Sequence, residues 1–214
     1  MTAYRNFVDD FPRRCREILK FAGKPALFRG REVTLALMVA SAGLVVPYER
    51  LKPDGGEIVH PSGDNKKFSV AADQLRTLLA ESFFSSAVWG APDSTWYFGR
   101  LKSVTGDPDS WEGLRERKPD QADKTVGTVL RVIRNALAHG NIFTFKNPIE
   151  AIIFIKSNFN DRSEVKDYTF VFVKPADFQL FLEKWFDSLD QPLLGTIDLG
   201  HYGSAVRQMH VDPK

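Results

Sequence analysis

The sequence predicts a mainly α fold: a helical bundle with a small antiparallel β-hairpin or sheet set between its last two long helices. Three observations carry that reading. Apolar residues recur at helical steps in the stretches before residue 140. Directly after Gly140 the period changes to runs rich in Ile, Val and Phe. Beyond those runs an aromatic amphipathic stretch closes the pattern.

The first helix is expected from about Tyr4 to Ala22, where Phe7, Phe11, Cys15, Ile18, Leu19 and Ala22 form an apolar stripe. Pro12 falls inside that stripe and should kink or divide it. Residues Arg31 to Tyr48 read as one helix, apolar nearly all round and therefore central. Lys52 to Phe68 holds two prolines and three glycines and reads as a loop, with His60 an exposed loop histidine. A third helix follows from Val70 to Val88, with Leu75, Leu78, Leu79, Phe83 and Val88 at its core positions. The aromatic but turn-rich segment from Trp89 to Gly113 is expected to be irregular or to form short helices. Within it, Asp107 and Asp109 belong to "GDPDS", which is turn chemistry before it is a metal site.

The fourth helix is expected from Asp120 to His139, ended by Gly140 as a left-handed residue. "NIFTF", "EAIIFIKSNF" and "DYTFVFV" then read as strands, the last two joined by the polar "NDRSEVK". "KPADFQLFLEKWFDSLDQP" makes the closing helix, with Pro175 near its start and a stripe of Phe178, Phe181, Leu182, Trp185, Phe186 and Leu189. Residues 1–192 read as one domain. Residues 193–214, which include His201 and His210, read as a tail that is poorly ordered or packs elsewhere.

Composition narrows the function. With 43% hydrophobic residues and 17 Phe, the 214-residue chain has enough apolar material for a substantial core. A net charge of +2 means that any nucleic-acid binding must rest on a local patch. The apolar run Val33 to Pro47 is shorter than the ~20 residues of a membrane span, so no membrane association is expected. The single Cys15 allows no internal disulfide and no cysteine-built metal site; a small core residue in a reducing cytoplasm fits it. Neither a nucleophile elbow nor a P-loop occurs, which disfavours a serine hydrolase and P-loop nucleotide hydrolysis. No metal site and no cofactor are expected.

The chemistry-bearing stretch is "RNALAHGN", Arg134 to Asn141, at the end of the fourth helix. At ~100° per residue, Val126, Val129, Leu130, Ile133 and Leu137 share one arc, the core face. Gly127, Thr128, Arg131, Asn135, Ala138 and His139 share the opposite arc. There, small residues among polar ones suggest close approach by another helix, with a second subunit the natural candidate. Arg134 lies at the border, ~140° from His139, whereas Asn135 and His139 share a face. Two copies about a two-fold axis would gather both histidines and both arginines at one cleft. Histidine moves protons near neutral pH, and arginine grips phosphate through paired hydrogen bonds. Together they suit RNA cleavage by the substrate's own 2′-hydroxyl, without a metal. A histidine that only caps the helix end explains the same residues.

"RNALAHGN" resembles the signature of the HEPN superfamily: an Arg, four to six residues, then a His, often with a polar residue directly after the Arg. Arg134, Asn135 and His139 stand at those three places. The strands and aromatic helix that follow resemble a plasmid- and mobile-element-associated HEPN subgroup, over about Tyr4 to Gln191. The resemblance implies a homodimeric helical bundle and a metal-independent endoribonuclease acting as a toxin or anti-phage effector in the cytoplasm. Its partners would be an RNA substrate and an antitoxin protein. It also implies a composite site in which Arg134 and His139 are catalytic and Asn135 orients or assists them. Arg131 is the expected substrate-binding cation, with Lys102, Arg115 and Arg117 as further local charges. The alternative is a noncatalytic binding or scaffold protein that uses the same helix face as an interface.

Overall fold

A computed structural model describes residues 7–51, 65–85, 89, 96–116 and 122–189. His60, Arg117, His201 and His210 lie outside the described residues. In chain order the elements are α1 (Phe7–Phe28), α2 (Glu32–Gly43), α3 (Val45–Leu51), α4 (Asn65–Ala80), β1 (Tyr97–Leu101), a 3₁₀ turn (Pro108–Ser110), α5 (Val126–His139), β2 (Ile142–Phe145), β3 (Ala151–Phe159), β4 (Val165–Val173) and α6 (Pro175–Leu189).

The fold class differs from the sequence expectation. The molecule is not a mainly α bundle with a small hairpin between its last helices. It pairs a helical layer with a four-stranded antiparallel sheet in the order β1-β4-β3-β2, and that sheet is a substantial part of the structure. The decisive difference is β1, which forms where irregular structure or short helices were expected and lies ahead of α5 in the chain. It pairs along its length with β4, from Tyr97 opposite Phe172 to Leu101 opposite Tyr168. A pairing across about seventy residues leaves no local period to read.

Both faces of the sheet are covered. Phe98, Ile152, Phe154, Val171 and Val173 pack into the helical core, while Leu101, Phe145, Ile153, Ile155, Phe170 and Phe172 form a second core with Leu114 and Trp111. A strand buried on two sides is apolar at successive positions, which is why "AIIFI" does not alternate. The second core is closed by the 3₁₀ turn. Asp107 accepts from the Asp109 amide at 3.0 Å, and the Asp109 carboxylate accepts from the Lys146 amide at 2.8 Å. The aspartates of "GDPDS" are therefore turn-building groups, as expected.

The helices keep their expected order with shifted ends. Pro12 and Pro25 both lie within a continuous α1, so Pro12 does not divide it. The single helix expected over Arg31 to Tyr48 is two, α2 and α3, broken at Leu44. Phe186 packs so close to Gly43 that a Cβ there would run into its ring, and the Trp185 indole donates to the Gly43 carbonyl at 2.9 Å. The window Glu32–Glu49 is long and apolar enough to cross a membrane by length and composition alone. In the fold, its Val33, Ala36, Val39, Ala40, Gly43 and Leu44 are buried as core residues. α4 begins at Asn65, inside the expected loop, and ends at Ala80, short of the expected Val88. α5 begins at Val126 rather than Asp120.

Cys15 is buried in the helical core, as its place on the stripe of α1 predicted. Burial disfavours the thiolate and pushes its pKa up to about 11. At pH 8 the thiol should therefore react with a disulfide reagent far more slowly in the native protein than in urea. Equal rates would show that this part of α1 opens readily.

Candidate functional site

α5 is held between the sheet and the helices. Its N-terminus is capped by Thr125, whose hydroxyl accepts from the Thr128 amide at 3.2 Å. Just ahead of it, Phe83 donates to the Lys124 carbonyl and Val126 to the Glu81 carbonyl, which ties the start of α5 to the end of α4. Gly127 serves that junction: a Cβ on it would lie 3.0 Å from the Leu79 carbonyl oxygen. The close approach expected from a second subunit at this glycine is thus made within the chain.

The buried side of α5 is wider than the expected arc. Val126, Val129, Leu130, Val132, Ile133 and Ala136 are buried, while Leu137 is only partly so. Val132 and Ala136 are added because α5 packs on β3 and β4 as well as on helices. A one-sided periodicity reading does not anticipate a helix wedged between two layers.

The helix ends at Gly140 in the left-handed conformation, φ 72°. The amides of Gly140 and Asn141 both donate to the Ala136 carbonyl. The Asn141 carbonyl then accepts from Ile155, so the turn after α5 runs straight into the sheet. His139 is exposed beside this finished terminus.

Arg134 takes another direction. It forms an ion pair with Glu49 of α3, and its guanidinium sits 5.2 Å from the Tyr48 ring centre. Its side chain is 30% exposed, and its Nε is buried without an acceptor among the described residues. Within one chain the structure therefore does not gather Arg134 and His139 at a common point. Thr128, Arg131, Asn135 and His139 instead fall within an arc of ~80°, with ~1.5 Å of axial rise per residue between them. Asn135 is partly buried on this stripe and Arg131 is exposed. Arg131 also lines a cleft between α5 and the sheet.

The further cations divide. Arg115 pairs with Glu150 at 3.0 Å and lies over the Phe145 ring at 4.4 Å, so it is tied to the far side of the sheet. Lys102 is exposed and is not among the residues that line the cleft. Among the described residues, the cations that do line it with Arg131 are Arg100, Lys124 and Lys156. Sequence reasoning missed all three, since they come from β1, the α5 lead-in and β3. Among the described residues, no group of three or more His, Cys, Asp and Glu is placed to hold a metal ion.

The family model for HEPN pEK499 p136 matches residues 1–192. The chain belongs to this HEPN family. Its membership bears out the resemblance read from "RNALAHGN" and places the chain in the plasmid-associated subgroup. HEPN membership supports a nuclease or nucleotide-related function. No curated protein and no solved structure matches the chain.

Proposed function

We propose that this HEPN protein is a metal-independent endoribonuclease, acting as a homodimer on RNA in the cytoplasm as a toxin or anti-phage effector. The observation that carries the reading is at the end of α5. The helix ends at the left-handed Gly140, with the amides of Gly140 and Asn141 on the Ala136 carbonyl, and His139 stands exposed beside it. An imidazole exposed at a helix terminus, on the same stripe as Asn135 and Arg131, is suited to work on a ligand.

In the proposed reaction, His139 takes the proton of the substrate 2′-hydroxyl. The 2′-oxygen bonds to phosphorus, and the bond from phosphorus to the 5′-oxygen breaks. His139 of a second copy, or water, gives the leaving oxygen its proton. The products are a 2′,3′-cyclic phosphate and a 5′-hydroxyl. Arg134 stabilises the charge that builds on the phosphate, and Asn135 orients the histidine or the phosphate. A composite site across a two-fold axis answers the divergence of Arg134 and His139 on one helix.

Cleavage of RNA by purified protein in excess chelator tests the reading. The expected ends are 2′,3′-cyclic phosphates, produced by wild type and lost in His139→Ala and Arg134→Ala proteins that keep the wild-type fold and oligomeric state. Activity unchanged in both variants would overturn the residue assignment. The second reading, a noncatalytic binding protein, is favoured by the pairing of Arg134 with Glu49, and absence of cleavage with every RNA offered would leave it ahead.

That ion pair makes its own prediction. Half-exposed pairs contribute up to about 1 kcal/mol, so Glu49→Gln should change stability little. It should also tighten RNA binding up to about fivefold by freeing Arg134 for phosphate. Fluorescence anisotropy with a labelled RNA reads this. Unchanged or weaker binding would confine Arg134 to holding α5 against α3.

A further inference from the structure

The cleft that holds Arg131 has a volume of about 520 Å³ and lies between the first half of α5 and the polar end of the sheet. Arg100, Lys124, Arg131 and Lys156 line it together with Thr128 and Thr169, and no carboxylate is among the described residues that line it. Four cations converge on one cleft in a chain whose net charge is only +2. Like charges gathered in this way repel one another and favour an anion that bridges them.

Asp167, a carboxylate beside them, is already engaged. It accepts from the Asn158 side-chain amide at 2.5 Å and lies 3.6 Å from Arg100. Its side chain is 16% exposed, against 73% for Arg100. Asn158 also donates to the Thr169 hydroxyl at 2.8 Å and accepts from Lys156 Nζ at 2.8 Å, which holds that lysine in place. Lys124 sits 5.7 Å from the Phe98 ring centre, so an aromatic face steadies its ammonium group. The cleft is thus a set of oriented donors rather than a scatter of solvated lysines.

Its position on α5 gives it a direction. Thr128 and Arg131 line it, and Asn135 and His139 continue the same stripe toward the helix end. Arg131 and His139 are about 12 Å apart along the axis at ~1.5 Å per residue. We propose that this cleft is a backbone-phosphate subsite for single-stranded RNA, with the strand running along α5 from Arg100, Lys124, Arg131 and Lys156 toward His139. The direction of the strand rests on the ribonuclease reading; phosphate binding in the cleft does not.

The test uses the full-length protein carrying His139→Ala, so that RNA stays intact, and a fluorescein-labelled single-stranded RNA read by anisotropy across a salt series. Arg131→Ala/Lys156→Ala should weaken binding at least tenfold. It should also reduce the slope of log affinity against log salt by about 1.4, since each lost phosphate contact removes about 0.7. Lys20→Ala, an exposed cation of α1 away from the cleft, should change neither. Arg131→Lys/Lys156→Arg should restore most of the affinity, which separates lost charge from a damaged fold. Equal affinity and slope in the alanine variant would overturn the subsite even if wild type cleaves RNA. Binding through the cleft without cleavage by wild type would support the subsite and overturn the ribonuclease reading instead. Displacement of the RNA by adenosine monophosphate at comparable concentration would make the cleft a mononucleotide pocket and overturn the strand path. Absence of RNA binding would overturn it as well.

Discussion

Replacing His139 by alanine should lower RNA cleavage by about 10²–10⁴-fold while leaving RNA affinity near that of wild type. That factor is the usual worth of one positioned general acid–base group. In a two-fold composite site both copies lose it together. The structural cost should be small, because His139 is exposed and the left-handed Gly140 ends the helix after it. What is lost is the favourable placement of a basic side chain near a helix C-terminus, about 0.3–1 kcal/mol. The two roles therefore separate in one variant. A large fall in rate beside a melting temperature within a few degrees of wild type supports catalysis. A large fall in melting temperature with cleavage in proportion to folded protein would make His139 a structural residue and remove it from the site. The wild-type oligomeric state, measured by light scattering, should persist in the variant, since a rate lost through dissociation would mimic the same result.

The second large effect concerns the core. Trp185→Ala should destabilise the protein by about 3–5 kcal/mol, the range for deleting a large buried aromatic. The corresponding fall in melting temperature is about 6–20 °C for a chain of this size. Trp185 is fully buried on α6 and reaches across to donate to the Gly43 carbonyl, which is where α2 gives way to α3. The cost thus has two parts. One is the cavity; the other is a buried carbonyl left without its donor, about 1–3 kcal/mol. Trp185→Phe keeps most of the volume and should show chiefly the second part. Urea unfolding of the two variants separates them. Equal losses would mean that the hydrogen bond carries nearly all of the effect, and a loss below 1 kcal/mol for the alanine would contradict the packing described for α2 and α6.

These two residues show where sequence suffices and where it does not. His139 and its terminating Gly140 are legible because a helix end has a local grammar: apolar period, last basic residue, left-handed glycine. The stripe Phe178, Phe181, Leu182, Trp185 and Phe186 is legible for the same reason, and each of these residues is buried. The partner of Trp185 is not legible, since the Gly43 carbonyl lies 142 residues away and the break after Gly43 interrupts an unbroken apolar run.

By itself the sequence determined the C-terminal end of α5 and part of its core side, the strand character of β2, β3 and β4, the closing helix α6, and the motif of Arg134, Asn135 and His139 on which the resemblance to the HEPN family rests. Each of these depends on neighbours within a few residues, where period and turn chemistry act directly. Only the tertiary structure decided that β1 joins the sheet, so that strands form a full layer rather than a small hairpin. It also decided that Gly127 meets Leu79 rather than another subunit, that Arg134 turns to Glu49, and that Arg100, Lys124 and Lys156 converge on Arg131. Strand pairing, ion pairing and charge convergence join residues far apart in the chain. Their energies depend on distance in space, and a linear pattern does not encode that distance.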